Sequence, residues 1–251
     1  MIPIFIVNLE RNIERRQAIE MQLQKLNLNY HILPATDGKK LTDAEFQKIY
    51  NQELSLQQIQ FPLSKNEVGC ADSHLRIYEK IVAENIPYAL ILEDDVILNK
   101  EILTVLDQKF LQSKSFDWLQ IDYAPVGWPF FRDWLLASKH FIRHKPVRLF
   151  YVLAKLPIIA ILSLYERLRE IINTRTRIVT FYRPLYLTSA YIITNNGAKK
   201  LLKVGRPIRF AADMLPNKAN TQTNFKMRAI SPPLAKQDKN FISEISASIK
   251  R

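Results

Sequence analysis

Residues 2–9 (IPIFIVNL) form an apolar run rich in Ile, followed by an amphipathic stretch and then a second extended run. This order constrains the fold more than any other feature. Ile19, Leu23 and Leu26 recur at i, i+4 and i+7, which predicts a helix with one buried stripe. NYHILPATDG (residues 29–38) then reads as a strand ending in a turn at Asp37-Gly38. Strand, helix and strand in that order imply a parallel pair joined by a right-handed crossover.

The same alternation continues along the chain. LTDAEFQKIYNQEL (residues 41–54) reads as a helix. Ser64 and Glu67 have the S-x-x-E spacing of a capping box, and Val68, Ala71, Leu75, Tyr78 and Val82 continue at helical spacing to Asn85. YALIL (residues 88–92) has no alternation and predicts a strand covered on both faces, as in a parallel sheet. FDWLQID (116–122) and LYLTSAYIIT (185–194) predict further strands. NNGAKKLLKVG (195–205) predicts a short helix stopped by Gly205, and NFKMRAISPPLAKQD (224–238) a last strand followed by a Pro-Pro turn. Strands alternating with helices place the chain in the α/β class, as one domain over residues 1–251.

Composition narrows the function. The 251 residues are 47% hydrophobic, enough for a full core. Five glycines are few, and neither GxxxxGK[ST] nor GxGxxG occurs, which argues against a glycine-rich nucleotide loop. Cys70 is the only cysteine, so no intramolecular disulfide forms, in keeping with a reducing cytoplasm. MIPIFIVNLERN lacks a basic leader and a small-residue cleavage site, and reads as a strand.

The net charge of +12 is uneven: Lys139 to Arg183 carries ten Lys or Arg against two Glu, leaving +4 for the rest. Within that region, LFYVLAKLPIIAILSLY (149–165) has one charge, Lys155, and a break at Pro157. Arg143, Lys145 and Arg148 precede it, and Arg167, Arg169, Arg175 and Arg177 follow. A spanning helix needs about 20 apolar residues. A short apolar segment with one-signed flanks instead suits the surface of an anionic membrane. An insertion over about 128–183 is therefore expected to be helical and membrane-associating, against the alternative of a buried helix pair with a solvated basic rim.

The chemical signal is YALILEDDVIL (88–98), where Glu93, Asp94 and Asp95 follow an apolar strand. Ligands bind beyond the carboxyl ends of strands in open α/β sheets. Period-two alternation would put Glu93 and Asp95 on one face and Asp94 on the other. Two carboxylates there suit a hard divalent cation, Mg²⁺ or Mn²⁺, with open positions for phosphate oxygens. A solvated acidic turn is the competing explanation, and the apolar Val96, Ile97 and Leu98 weaken it.

LILEDDV resembles the acidic motif of glycosyltransferase family 25, the lipopolysaccharide-biosynthesis sugar transferases. IFIVNLERNIERR, LPATDG, NEVGCADSHLRIYEKI, SAYIITNNGAKKLL, AADMLP and SPPLAKQD resemble further family segments in the same order. Together they cover residues 2 to about 98 and 186 to 238, and Tyr123 to Arg183 shows no such likeness. Asn195-Asn196 stands where the family often has a basic residue, and RFAAD where a Pro-Val-Asp type is usual.

The resemblance implies a GT-A-like, Rossmann-type, mostly parallel sheet flanked by helices. It implies an inverting transfer of a hexose, galactose first and glucose second, from a UDP-sugar to a lipopolysaccharide or lipooligosaccharide core. Mn²⁺ or Mg²⁺ would stabilise the departing diphosphate as a Lewis acid. Asp95 is the first candidate metal ligand, with Glu93 or Asp94 on metal or ribose. Asp213 is the candidate general base and Asp238 the second candidate. Asp213 could equally cap a following turn. Asn8, Leu9 and Asp37, at strand ends, are placed for uracil and ribose. Arg11 and Arg16 are placed for phosphate, and Arg15 on a solvated helix face. Ser73 and His74 are read as lying near a helix start that favours anions, with His74 as a core histidine the alternative. Cys70 reads as packing beside Gly69.

The expected partners are a UDP-hexose, a lipid-linked oligosaccharide and an anionic membrane. The expected place is cytoplasmic, peripheral on the inner face of the inner membrane. A nucleotidyltransferase or phosphate-ester hydrolase is the first competing reading, because strand-end carboxylates serve those too. A membrane or nucleic-acid binder is the second. No helix-turn-helix, zinc or RNP pattern supports nucleic acid.

Overall fold

The computed structural model describes residues 1–123, 161, 175–181 and 185–241. The chain divides into two compact units, 1–123 with 176–251, and 124–175. The predicted membrane-associating insertion lies almost wholly outside the described residues. Its expected boundary at 183 needs correction, however, because Arg177–Val179 form a strand, β6, of the first unit. Among the described residues no helix is long and apolar enough to cross a membrane.

The opening is the predicted β-α-β unit. β1 (Ile4–Asn8) leads into α1 (Ile13–Lys25) and β2 (His31–Pro34), and β1 pairs parallel with β2. Residues 41–54 form two helices instead of the single one expected, α2 (Asp43–Ile49) and α3 (Gln52–Ile59). The break has a local cause: the Asn51 side chain accepts from Leu54 N, which starts a new helix. α4 (Lys65–Ala83) begins with the predicted capping box, in which Ser64 and Glu67 satisfy each other's backbone N–H.

β3 (Tyr88–Glu93) runs parallel to β1. A short strand β4 (Val96–Leu98), α5 (Ile102–Val105), α6 (Gln108–Gln112) and β5 (Trp118–Gln120) follow. β7 (Ala190–Thr194), α7 (Asn195–Gly205), α8 (Met214–Gln222), β8 (Met227–Ser231) and β9 (Ala235–Gln237) complete the unit.

The main sheet has the order β2-β1-β3-β7-β5-β8-β6. Its pairings make five of the seven strands point one way, with β7 and β6 reversed. The α/β, mostly parallel expectation therefore holds. β4 and β9 form a separate two-stranded antiparallel sheet, which the sequence did not announce.

β3 is covered on both faces as predicted. Ala89 and Ile91 pack into the core under α4, α7 and α8, and Leu90 and Leu92 into the core under α1, α5 and α6. Phe5 and Val7 share the first core, and Ile4 and Ile6 the second, so β1 is equally two-sided. Gly69 lets α4 approach the turn after β2, since a Cβ there would lie 2.6 Å from the Thr36 carbonyl oxygen. Thr36 N donates to Ser73 Oγ at 2.8 Å and Thr36 Oγ1 donates to Asp72 at 2.7 Å, which locks the two segments together.

Candidate active site

Because β1, β2 and β3 run parallel, their carboxyl ends open on one edge of the sheet. A cleft of about 570 Å³ lies there. α4 forms one wall, and Tyr186–Thr188, just before β7, and Ala211–Met214, at the start of α8, also line it. The structure gathers nine of the predicted residues on its lining: Leu9, Arg11, Asp37, Ser73, His74, Glu93, Asp94, Asp95 and Asp213.

The three consecutive carboxylates do not alternate as expected. β3 ends at Glu93, and Asp94 and Asp95 sit in a turn, so all three line the cleft. Asp94 and Asp95 are only 6% and 5% exposed. The cation that makes this tolerable is Arg15, whose Nη2 lies 2.6 Å from Asp94 Oδ1 and 2.9 Å from Asp95 Oδ2. Its guanidinium also lies 5.7 Å from the Phe241 ring centroid.

Two arginine assignments are thereby reversed. Arg15 is inside the site, not on a solvated face, whereas Arg16 lies outside the cleft lining and pairs with Glu20 at 3.2 Å. The signal was present in the sequence: Arg15 is four residues before Ile19 and eight before Leu23, on the buried stripe of α1.

Each carboxylate is held differently. Asn8 does not line the cleft; it lies beneath, 2% exposed, and donates to Asp94 Oδ2 at 2.7 Å. Its role is to hold a site residue, in place of the nucleoside contact expected. Glu93 accepts from Thr188 Oγ1, and His74 Nε2 lies 3.3 Å from its Oε1. Asp95 Oδ1 is buried without a hydrogen-bond partner among the described residues. The β4–β9 sheet fixes the turn from behind, through Val96 paired with Gln237 and through Asp238 N donating to Asp95 O at 2.6 Å.

Asp238 therefore supports the turn with its backbone. Its carboxylate is not on the cleft lining and accepts from Asn240 N at 3.0 Å, which weighs against the expected catalytic part. Asp213 differs. It precedes α8, yet its side chain makes no cap hydrogen bond, so the capping alternative fails and the carboxylate is left to the cleft. Ser73 and His74 need a further correction. α4 starts at Lys65, more than two turns earlier, so no unsatisfied helix N–H lies near them. Ser73 Oγ instead donates to Gly69 O at 2.7 Å.

The turn after β2 forms a further part of the cleft wall. Arg11 pairs with Asp37, and Asp37 Oδ1 accepts from Lys39 N at 3.0 Å. Behind the site, Tyr191 OH contacts His74 Nδ1 at 2.7 Å and Tyr78 OH at 2.9 Å, and Trp118 stacks on Tyr191 at 3.7 Å. Sequence reasoning missed Tyr191 and Thr188, which lie in a strand motif whose polar members reach the site only through tertiary packing.

Proton affinities follow the crowding of charge. Burial, then Glu93, raises the Asp95 carboxyl to about 7 against the pull of Arg15. Burial likewise raises Asp94 and Asp213. Burial also pushes Glu93 up, but His74, Thr188 and Arg15 outweigh it and hold this carboxyl below its ordinary value. Asp122, beyond the end of β5 and fully buried, is raised to about 7 by burial. Burial pushes the Cys70 thiol well up.

Asp95 and Asp122 bind protons in the folded chain where the unfolded chain, at about 3.9, has released them. The stability they contribute is complete below about pH 4 and is lost as the pH rises through about 7. Thermal melts in chelator should therefore show a Tm several degrees lower at about pH 8 than at about pH 5.5. A Tm that rises over that interval contradicts the assignment.

The carboxylates fit a hard divalent cation on one point of structure: Asp95 Oδ1 is a buried acceptor with nothing to accept from, and Glu93 is the carboxylate beside it on the cleft wall.

A family model described as glycosyltransferase family 25 (LPS biosynthesis protein) matches residues 1–216. A glycosyltransferase 25 family member of Aedes aegypti is 36% identical over 96 residues, covering 37% of this chain and 16% of that protein. Procollagen galactosyltransferase 1 of Danio rerio is 31% identical over 121 residues, covering 46% of this chain and 20% of that protein. The chain thus spans a fifth or less of the length of these curated relatives. Among solved structures, a glycosyltransferase involved in glycosylation of the major capsid of PBCV-1 aligns at a TM-score of 0.43 and 10% identity, over 96% of this chain and 94% of that one.

Proposed function

Because the chain belongs to glycosyltransferase family 25, we propose that it transfers galactose, with inversion, from UDP-galactose to a lipopolysaccharide or lipooligosaccharide core acceptor. The observation that carries this reading is the gathering of Glu93, Asp94, Asp95 and Asp213 on one cleft at the carboxyl ends of parallel strands. A cleft of about 570 Å³ is also of the size that takes a small-molecule ligand. Galactose is favoured by the names of the relatives, and the acceptor class by the description of the family.

In this reading Leu9, Arg11 and Asp37 bind the nucleoside, and Arg15 lies toward the diphosphate. Asp95 and Glu93 would hold Mn²⁺ or Mg²⁺, which when bound supplies Lewis-acid stabilisation of the departing diphosphate. Asp213 accepts the proton of the attacking acceptor hydroxyl, so no covalent glycosyl-enzyme is needed. Burial raises the Asp213 carboxyl, which makes it a stronger base than a solvated aspartate. The one-signed cations between Lys139 and Arg183 suit a phosphate-bearing acceptor held in an anionic membrane, on its cytoplasmic face.

The test is UDP release from a panel of UDP-sugars, with and without Mn²⁺, in the presence of acceptor lipid in anionic vesicles. The expected result is Mn²⁺-dependent release from UDP-galactose that rises with the vesicles. Release of pyrophosphate instead would indicate a nucleotidyltransferase. Release that is indifferent to vesicles would sink the membrane part of the reading while leaving the transfer in place.

A further inference from the structure

Three side chains of different chemistry converge on the α4 wall of the cleft. Cys70 and His74 are four residues apart on α4 and therefore share a helix face. Glu93 ends β3 opposite them. One ligand atom from each, sulfur, imidazole nitrogen and carboxylate oxygen, lies within 4.8 Å of the other two. His74 is 2% exposed, and its Nε2 has no hydrogen-bond partner, since Glu93 Oε1 at 3.3 Å is outside hydrogen-bonding geometry. The buried imidazole nitrogen thus faces a carboxylate at ion-pair distance and a thiol, without an aligned hydrogen bond among the described residues.

We propose that Cys70, His74 and Glu93 form a site for a thiophilic divalent cation of the Zn²⁺ class, distinct from the hard-cation position at Asp95 and overlapping it only at Glu93. The geometry supports this in three ways. First, one sulfur, one nitrogen and one oxygen ligand suit zinc and its relatives, and a thiolate does not suit Mg²⁺ or Mn²⁺. Second, the ring is oriented from behind. With Tyr191 OH donating to Tyr78, its oxygen accepts from Nδ1–H, so that Nε2 is the nitrogen turned toward Glu93 and the one available to a metal. Trp118, stacked on Tyr191, holds that hydroxyl in place. Third, Cys70 and Glu93 both line the cleft, so a fourth position is open to water or a ligand, as in three-ligand zinc sites. Thr188 Oγ1 donates to Glu93 Oε1, the oxygen that faces His74, and so fixes the carboxylate while leaving Oε2 available.

The site does not depend on the transferase reading, but it shares Glu93 with it. An ion at Cys70 and His74 would draw Glu93 away from the proposed donor metal.

Co²⁺ added to the metal-free full chain is the probe. Cys70 is the only cysteine, so any thiolate-to-cobalt charge-transfer band reports this site alone. One equivalent should produce that band together with the intense visible bands of four-coordinate Co²⁺. Cys70→Ser should abolish the charge-transfer band, and His74→Gln should abolish the four-coordinate spectrum. Tyr191→Phe should weaken binding by about 10-fold or more, as loss of an orienting partner does. Asp95→Asn should leave the spectrum unchanged, which separates this site from the hard-cation position. The proposal is overturned if folded wild-type chain gives no charge-transfer band, or if the spectrum persists unaltered in both His74→Gln and Glu93→Gln.

Discussion

On the proposed function, Asp213→Asn should lower sugar-transfer turnover by about 100- to 10,000-fold, the range a positioned general base contributes, while UDP should bind as tightly as to the wild type. The substitution keeps the shape of the side chain and removes its capacity to take a proton. The carboxylate makes no helix-cap hydrogen bond, so stability should change little. Asp238→Asn is the matched comparison. The Asp238 side chain lies off the cleft, and the bond that matters, its backbone N–H to Asp95 O, survives the change. Its turnover should stay near that of the wild type. Steady-state kinetics with UDP-galactose and acceptor, alongside calorimetry with UDP, separate the two. Equal losses in both variants would move the base away from Asp213. Unchanged turnover in Asp213→Asn would remove it from the mechanism.

How much of this was legible depends on what each residue's neighbours are. β1, α1 and β2 were readable because a short loop confines each to its sequence neighbours. α4 was readable from its own cap, since Ser64 and Glu67 satisfy each other three residues apart. β3 announced its double burial by having no polar alternation. The direction of β7 was not readable. AYIIT is apolar on both faces, and nothing in such a run states from which end of the sheet the chain enters. β4 and β9 are three residues each, too short for periodicity to speak, and they exist because they pair with each other across more than 130 residues.

Within the site, the acidic run stood out by composition and Asp213 through the family resemblance, and the chain delivers them to one cleft. The errors came from phase. Alternation was carried two residues past the end of β3, which turned Asp94 away from a cleft that it lines. Arg15 was set on water although the stripe of α1 ran through it. Asn8 and Tyr191 hold site residues from behind and Thr188 holds Glu93 from the cleft wall, and a supporting contact leaves no mark in sequence order.

Arg15→Met should destabilise the metal-free chain by about 3–5 kcal/mol at pH 8, the cost of removing one partner from a buried ionic group. That corresponds to a fall in Tm on the order of 10 °C for a chain of this size. Arg15 spans Asp94 and Asp95 with one nitrogen, and both carboxylates are nearly inaccessible to water. Without the guanidinium, three adjacent carboxylates face one another across a dry turn. Two independent rescues follow from the same electrostatics. Lowering the pH below about 7 should close most of the gap, because Asp95 then takes a proton and sheds its charge. Saturating Mn²⁺ should also close it, because a cation bound only to the folded chain stabilises that chain by mass action. Arg15→Lys should fall between, since an ammonium keeps the charge but sits on a different stem with different donor directions, and is more costly to strip of water than a guanidinium. If wild type and Arg15→Met melt together in chelator at pH 8, the pairing contributes nothing and the turn is stabilised in another way. If they separate and Mn²⁺ restores the variant, Arg15 and the metal are alternative solutions to one repulsion. On the proposed function, the guanidinium then balances the acidic turn until a divalent cation takes over that charge, which frees it to turn toward the diphosphate of the donor.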